Sequence, residues 1–281
     1  MNISTEIASA ARLVGEERAV ELCAKAGFDA WDFSMFGMKK NAEGSFNEKD
    51  WLALAKRLRK IGRDCGIVCN QSHAPFPSMA PEVRPLLELA IQCTAEAGGE
   101  ICIIHPDNNS SPEENARMYQ QLLPFAKSCG VKIATENMWN WNTDAGHAAF
   151  AACATPDSFI SHLDAVNDGY LVACLDIGHA EMQGLGTSAP EMIRALGSRL
   201  KALHIHDNDR WHDSHQIPGS MDIDFDAMVK ALADMGYDGF FTLEADRYLS
   251  AYGPENVLDG LKELATVARK LADRFEMLQK A

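Results

Sequence analysis

Residues 100–139 read "EICIIHPDNNSSPEENARMYQQLLPFAKSCGVKIATENMW" and hold one complete folding unit. "EICIIHP" is a short apolar run of strand length. Ser111 then offers a side-chain oxygen as a helix cap, and Pro112 sits in the first turn, where its missing N–H costs nothing. An amphipathic helical segment runs to Gly130, and "VKIATENMW" opens the next apolar run. Strand, helix, strand in that order is a βαβ crossover, the connection that parallel strands require.

The same unit recurs in both directions. Upstream lie "NISTEIA" with "EERAVELCAKAG", then "FDAWDFSM" with "NEKDWLALAKRLRKIG", where Asn47 is a candidate cap, then "GIVCNQSHA" with "APEVRPLLELAIQCTAEAGG". Downstream lie "TPDSFISHLDAVN", "YLVACLDIGHA" with "SAPEMIRALGSR", "LKALHIHDND" with "DFDAMVKALADMGY", and "DGFFTLEAD" with a long final helix from Gly253. Eight strand–helix units at a period of about 35 residues predict a (β/α)₈ TIM barrel, read as a single domain over residues 1–281. No Pro/Gly-rich linker divides the series. Two connections are long, "NWNTDAGHAAFAACA" after the fifth strand and "NDRWHDSHQIPGSMDI" after the seventh. Both follow strand C-termini, the face on which barrel active sites lie.

Charge and composition narrow the function. The formal net charge is −14, which opposes nucleic-acid binding, because that affinity rests largely on Lys and Arg contacts to phosphate. No run of 18 apolar residues occurs, so no membrane span is expected. The N-terminal "MNISTEIASAARLVGEE" has no basic start before a long apolar stretch, so a cytoplasmic enzyme is expected. The eight cysteines form no CxxC pair, and Cys102 and Cys174 sit inside apolar runs as small buried hydrophobes. A homo-oligomer is compatible with the sequence, which specifies none.

The strand ends carry the chemistry. Six successive strands stop being apolar at His73, His105, Glu136, Asp176, His204 and Glu244, with His179 three residues past Asp176. A barrel gathers these at one mouth, and Asp213 and His215 lie on the long seventh loop above it. Convergent carboxylates repel one another unless a cation or imidazoles offset them. Glu136, Asp176, His204 and Glu244 together make a donor set suited to Mn²⁺, Co²⁺, Mg²⁺ or Zn²⁺. Such a cation polarises the oxygens of a sugar, and Glu136 and Glu244, three strands apart, are placed to remove and return a proton. Trp139, Trp141 and Trp211 lie in loops of the same face, as candidates for a wall against a sugar ring. His147 and His162 fall outside the pattern and read as structural.

With "SHAPFP", "IIHP", "TENMW", "LDIGHAEM", "LHIHDND", "DSHQIPGSMDIDF" and "FTLEAD", the chain resembles the sugar isomerase/epimerase superfamily with the xylose-isomerase-like barrel, which includes the ketose 3-epimerases, hydroxypyruvate isomerase, inosose-handling enzymes and the endonuclease IV group. The resemblance implies Glu136, Asp176, His204 and Glu244 as metal ligands and a sugar or sugar-phosphate substrate. His204 is preferred to His206 because an acid, Asp207, follows it after two residues; His206 with Asp209 is the other register. His179 and Arg210 take the substrate-contacting places, with His73 and His105 beside them. His206, Asp213 and His215 are further metal or substrate ligands. Together with the other ligands they resemble the three-zinc site of endonuclease IV, so a zinc phosphodiesterase is the competing reading and an inosose-type dehydratase a third. The usual "PGEG" is "PGSM" here.

Overall fold

The computed structural model describes residues 1–38 and 48–280. The strands are β1 (Ile3–Glu6), β2 (Ala30–Ser34), β3 (Val68–His73), β4 (Ile101–Ile103), β5 (Lys132–Glu136), β6 (Asn140–Asn142), β7 (His147–Ala149), β8 (Leu171–Asp176), β9 (Leu200–His204) and β10 (Phe241–Leu243). Eight of them form one parallel sheet in the order β10-β1-β2-β3-β4-β5-β8-β9. The ring closes where Ile205 meets Leu243: the Ile205 amide donates to the Thr242 carbonyl at 2.9 Å, and the Glu244 amide to the Ile205 carbonyl at 3.0 Å. The expected barrel is therefore present. β6 and β7 make a separate antiparallel hairpin inside the long connection after β5.

Ten helices occur among the described residues: α1 (Ala8–Val14), α2 (Glu16–Ala26), α3 (Glu48–Cys65), α4 (Leu87–Ala97), α5 (Pro112–Cys129), α6 (Pro156–Val166), α7 (Ile177–Ala180), α8 (Ala189–Leu196), α9 (Phe225–Met235) and α10 (Val257–Gln279). The strand expected over "NISTEIA" ends early, at Glu6, and α1 begins at Ala8. The reason is local: the Glu6 carboxylate accepts hydrogen bonds from the Ala8 and Ser9 amides, satisfying donors that a helix start leaves unpaired. α4 begins seven residues later than the expected segment, after a 3₁₀ turn at Arg84–Leu86 that contains Pro85. Asn47, the expected cap of α3, lies outside the described residues.

The main core fills the layer between strands and helices, with Trp31, Phe33, Phe159 and Phe241 fully buried. Gly62 in α3 makes room for the Trp31 ring, since a Cβ there would lie 2.2 Å from it. Inside the ring, one side is small and apolar: Ile103, Ala134, Val172, Cys174 and Ala202. The other side is polar: Ser4 Oγ donates to Asn70 Oδ1 at 2.6 Å, and Asn70 Nδ2 donates to Thr242 Oγ1 at 3.0 Å. All eight cysteines are free, and Cys102 and Cys174 are buried as expected. No helix among the described residues is long and apolar enough to cross a membrane.

Ser111 caps α5 as read from the sequence. Its hydroxyl accepts from the Glu114 amide at 3.2 Å, and the Glu114 carboxylate accepts from the Ser111 amide at 2.8 Å, a reciprocal capping box. Replacing Ser111 by Ala removes one of the two bonds. Unfolding free energy from urea titration should fall by about 1 kcal/mol, the usual worth of such a cap.

Candidate active site

β5 and β8 present Glu136 and Asp176 at their last residues, and β9 presents His204 likewise; Glu244 follows β10 by one residue. Each is buried: Glu136 is 1% exposed, Asp176 and His204 0%, and Glu244 6%. One ligand atom from each lies within 4.8 Å of the others. His204 Nδ1 is 3.1 Å from Glu136 Oε1 and 3.4 Å from Glu244 Oε2. Asn137 braces the neighbouring strand ends: its Oδ1 accepts from the Asp176 amide at 2.8 Å, and its Nδ2 donates to the Asp176 carbonyl at 2.9 Å.

Two further groups flank this one. His73 and His105 bring their Nε2 atoms to 2.6 Å of each other, and those atoms stand 3.9 and 3.3 Å from Glu136 Oε2. β4 ends at Ile103, so His105 reaches the site from two residues past the strand. On the other side, His179, His206, Asp213 and His215 converge. His179 Nδ1 donates to the Asn137 carbonyl at 2.9 Å, and His215 Nδ1 donates to the Glu244 carbonyl at 2.7 Å. Both rings therefore turn Nε2 toward Asp213, at 3.5 and 3.1 Å. His206 Nε2 is 3.1 Å from Asp176 Oδ1 and 3.6 Å from Asp213 Oδ1, and its ring stacks on His215 with centroids 3.9 Å apart.

The charges are mutually dependent. Burial raises the Glu136 carboxyl, but the His204 and His105 imidazoles outweigh it and hold the group well below the carboxylate range. Burial also raises Asp213, and His179 and His215 overcome it in the same way. Glu244 goes the other way: burial pushes it well above its ordinary value, with Glu136 and Asp176 adding repulsion. Desolvation lowers His215, yet Asp213 beside it carries the imidazole up to about 10. Asp176 Oδ2 is buried without a hydrogen-bond partner, and Glu136 Oε2 and Asp213 Oδ1 meet imidazole nitrogens without hydrogen-bond geometry. Buried carboxylate oxygens left in this state are costly, and in a ring of His and carboxylate donors a divalent cation is the partner that fits them.

The ring opens into a cavity of about 410 Å³. Phe36, Phe76, Met138 and Trp139 form apolar walls, while Glu6, Asp246 and Arg247 add polar groups at the side. That volume suits a small molecule.

A family model described as "Xylose isomerase-like TIM barrel" matches residues 20–271. The chain belongs to the xylose isomerase-like TIM barrel family. An uncharacterized protein of Methanocaldococcus jannaschii, MJ1311, is 27% identical over 274 residues, covering 91% of this chain and 87% of its own. A crystal structure of a D-tagatose 3-epimerase-like protein superposes with TM-score 0.73 at 20% identity, covering 100% of this chain and 98% of that one. The IOLI protein, solved with a binding zinc atom, gives TM-score 0.71 at 19% identity over 96% and 99% of the two chains.

Within this xylose isomerase-like barrel, most residues singled out in the sequence come together: His73, His105, Glu136, Asp176, His179, His204, His206, Asp213, His215 and Glu244. Arg210, expected at the substrate hydroxyls, is placed elsewhere. Its guanidinium pairs with Glu181 at 3.2 Å and it is absent from the cavity lining. Trp139 lines the cavity, whereas Trp141 and Trp211 do not and are each 46% exposed. His162 bonds the Ser158 carbonyl inside α6 and His147 the Ala148 carbonyl, both away from the site.

Two carboxylates outside the expected set share the sheet, of which Glu6 follows the strand-end rule and Asp32 does not. β1 ends at Glu6, and β2 carries Asp32 two residues before its end; both are buried carboxylates. Phe36 and Phe76 carry no such signal, because a loop aromatic does not announce which way it faces.

His206 depends on Gly178. A Cβ at that position would lie 1.9 Å from His206 Cε1, inside any tolerable contact. Gly178→Ala should therefore displace the His206 ring and destabilise the fold by about 1–3 kcal/mol, the usual cost of overpacking. Differential scanning calorimetry beside a His206→Ala/Gly178→Ala double variant checks this, since removing the ring should relieve most of the loss.

Proposed function

We propose that this protein is a divalent-metal-dependent sugar or sugar-phosphate isomerase or epimerase. One observation carries the reading. Glu136 and Glu244 stand together with Asp176 and His204 in a single buried ligand group, beside a cavity of sugar size with aromatic walls. Mn²⁺, Co²⁺, Mg²⁺ or Zn²⁺ held by these four residues would supply the positive charge that steadies an enediolate. Glu136 and Glu244 take the acid and base parts. Both stand against one imidazole, with Glu136 Oε1 3.1 Å and Glu244 Oε2 3.4 Å from His204 Nδ1, which supports placing them about one substrate carbon. His179, with Nδ1 fixed on the Asn137 carbonyl, points Nε2 at the cavity, where it can hold a substrate oxygen. Phe36, Phe76 and Trp139 give the C–H face of a sugar an apolar surface and exclude water from the carbon that loses its proton. His73 and His105 line the opposite side as substrate contacts.

A second reading draws on the flanking groups. His73–His105–Glu136 and His179–Asp213–His215 stand on either side of the central four and complete a set able to hold three ions. That favours an endonuclease IV-like zinc phosphodiesterase. The cavity opposes it: five of its lining residues are carboxylates, and Arg247 is its one Lys or Arg among the described residues. A polyanionic backbone would meet repulsion there.

Two measurements test the proposal. Treatment with EDTA should abolish turnover of a responsive ketose from a substrate panel, and Mn²⁺, Co²⁺ or Zn²⁺ should restore it; full turnover in protein shown to be metal-free by elemental analysis would sink it. In D₂O the wild-type enzyme should place deuterium on the substrate carbon next to the carbonyl. Glu136→Gln or Glu244→Gln should slow that exchange by about two orders of magnitude or more, the worth of general acid–base catalysis, with metal content measured alongside. No exchange with any sugar, together with nicking of DNA at abasic sites, would establish the phosphodiesterase reading instead.

A further inference from the structure

Asp32 is a carboxylate that the proposed reaction does not use. It lies on β2, is fully buried, and does not line the cavity. Its Oδ2 is 3.3 Å from His204 Nε2 and accepts from Gln71 Nε2 at 2.8 Å. Its Oδ1 has no hydrogen-bond partner. A buried carboxylate with one oxygen unpartnered is costly, so its place here points to a function for the oxygen that His204 and Gln71 meet.

The function lies in the ring it touches. His204 spans two environments: Nε2 faces Asp32, and Nδ1 faces Glu136 and Glu244 at 3.1 and 3.4 Å. A ligating imidazole needs its proton on the nitrogen away from the metal, and a carboxylate accepting that proton fixes both tautomer and ring angle. Asp32 is itself held. Gln71 Nε2, its donor, also lies 3.3 Å from the Leu203 carbonyl, and Gln71 Oε1 is 3.4 Å from Thr242 Oγ1. The amide network beneath the site thus anchors the carboxylate, which anchors the imidazole.

We infer that Asp32 is a positioning residue that keeps His204 protonated on Nε2, so that Nδ1 is the metal-binding atom. This rests on the proposed metal group of Glu136, Asp176, His204 and Glu244. Of the three carboxylates that pair with His204 among the described residues, Asp32 alone meets it at Nε2, whereas Glu136 and Glu244 meet it at Nδ1.

Zinc affinity read by competition with a chromophoric chelator tests it without any substrate. His204→Ala identifies the site, as the zinc whose binding that change weakens. Asp32→Asn keeps size and shape but replaces the carboxylate, and should weaken the same zinc by about 10–100-fold, the usual effect of losing such an outer partner. The Asp32→Asn/His204→Ala double variant should bind no more weakly than His204→Ala alone, because the carboxylate acts only through the ring. Wild-type affinity in Asp32→Asn, with His204→Ala impaired, would overturn the inference and leave the metal reading standing. Equal zinc binding by wild type and His204→Ala would overturn both. Should Asp32→Asn fail to fold, ¹⁵N-histidine NMR of zinc-loaded wild-type protein decides. A slowly exchanging Nε2–H that vanishes in His204→Ala supports the inference; a protonated Nδ1 on that ring refutes it.

Discussion

The constraint on which the site depends is charge balance in a dry ring. Glu136, Asp176 and Glu244 sit within a few ångströms of one another with almost no exposure to water. Three carboxylates cannot all stay ionised there unless positive groups surround them. His204, His206, His179 and His105 stand at hydrogen-bonding or ion-pairing distance around them. Three imidazoles of the site are in turn steadied on their far side by a carbonyl or a carboxylate: Asn137 O for His179, Glu244 O for His215, Asp32 for His204. Removing any one charge therefore disturbs the proton affinity of several others. Such a set behaves as one acid–base unit rather than as separate residues.

The barrel is what makes so dense a cluster affordable. Strand ends are rigid, and their backbone N–H and C=O groups are already paired across the ring, so the side chains converge without further ordering of the chain. The seventh loop is the exception, since Asp213 and His215 must return over the mouth from a long irregular segment. Asp207 solves this. Its carboxylate accepts from the amides of Asn208, Gly219, Met221 and Ile223, and its backbone pairs with Gln216. One buried carboxylate thus draws both limbs of the loop together and fixes where Asp213 and His215 fall. The acid that follows His204 at a fixed spacing in the sequence is this hub, and its part is to hold the loop.

The barrel could be read from the sequence because each strand–helix unit carries its own punctuation, as Ser111 and Pro112 do for α5. The ligand ring could be read because a barrel converts position along a strand into position in space: a polar residue where an apolar run stops must face the mouth. Glu6 is legible by that rule, although Ile7 and Ala8 after it blur the end of the run; Asp32 is not, since it lies mid-strand among the aromatics of "FDAWDFSM". Arg210 shows the rule's limit. It lies past the strand end, where its φ of +66° and the nearby Glu181 decide its direction, and neither is visible in a spacing. The hairpin β6–β7 was hidden for a similar reason: six of its residues alternate weakly, and pairing rather than pattern defines them.

The division between strands and loops also separates chemistry from selectivity. Of the groups proposed to move a proton or hold the cation, all four end or directly follow a barrel strand. The aromatic walls come from elsewhere: Phe36 follows β2, Phe76 follows β3, and Trp139 leads into the hairpin after β5. Phe36 and Phe76 pack edge to face at 5.3 Å, and Phe36 meets His73 at 4.6 Å, so the wall is tied to the ligand ring by contact and not by backbone pairing. A change in these loops reshapes the apolar wall of the cavity while leaving the carboxylates where they are. The same ligand ring can then serve substrates of different shape, with the choice among them made by residues that take no part in moving the proton.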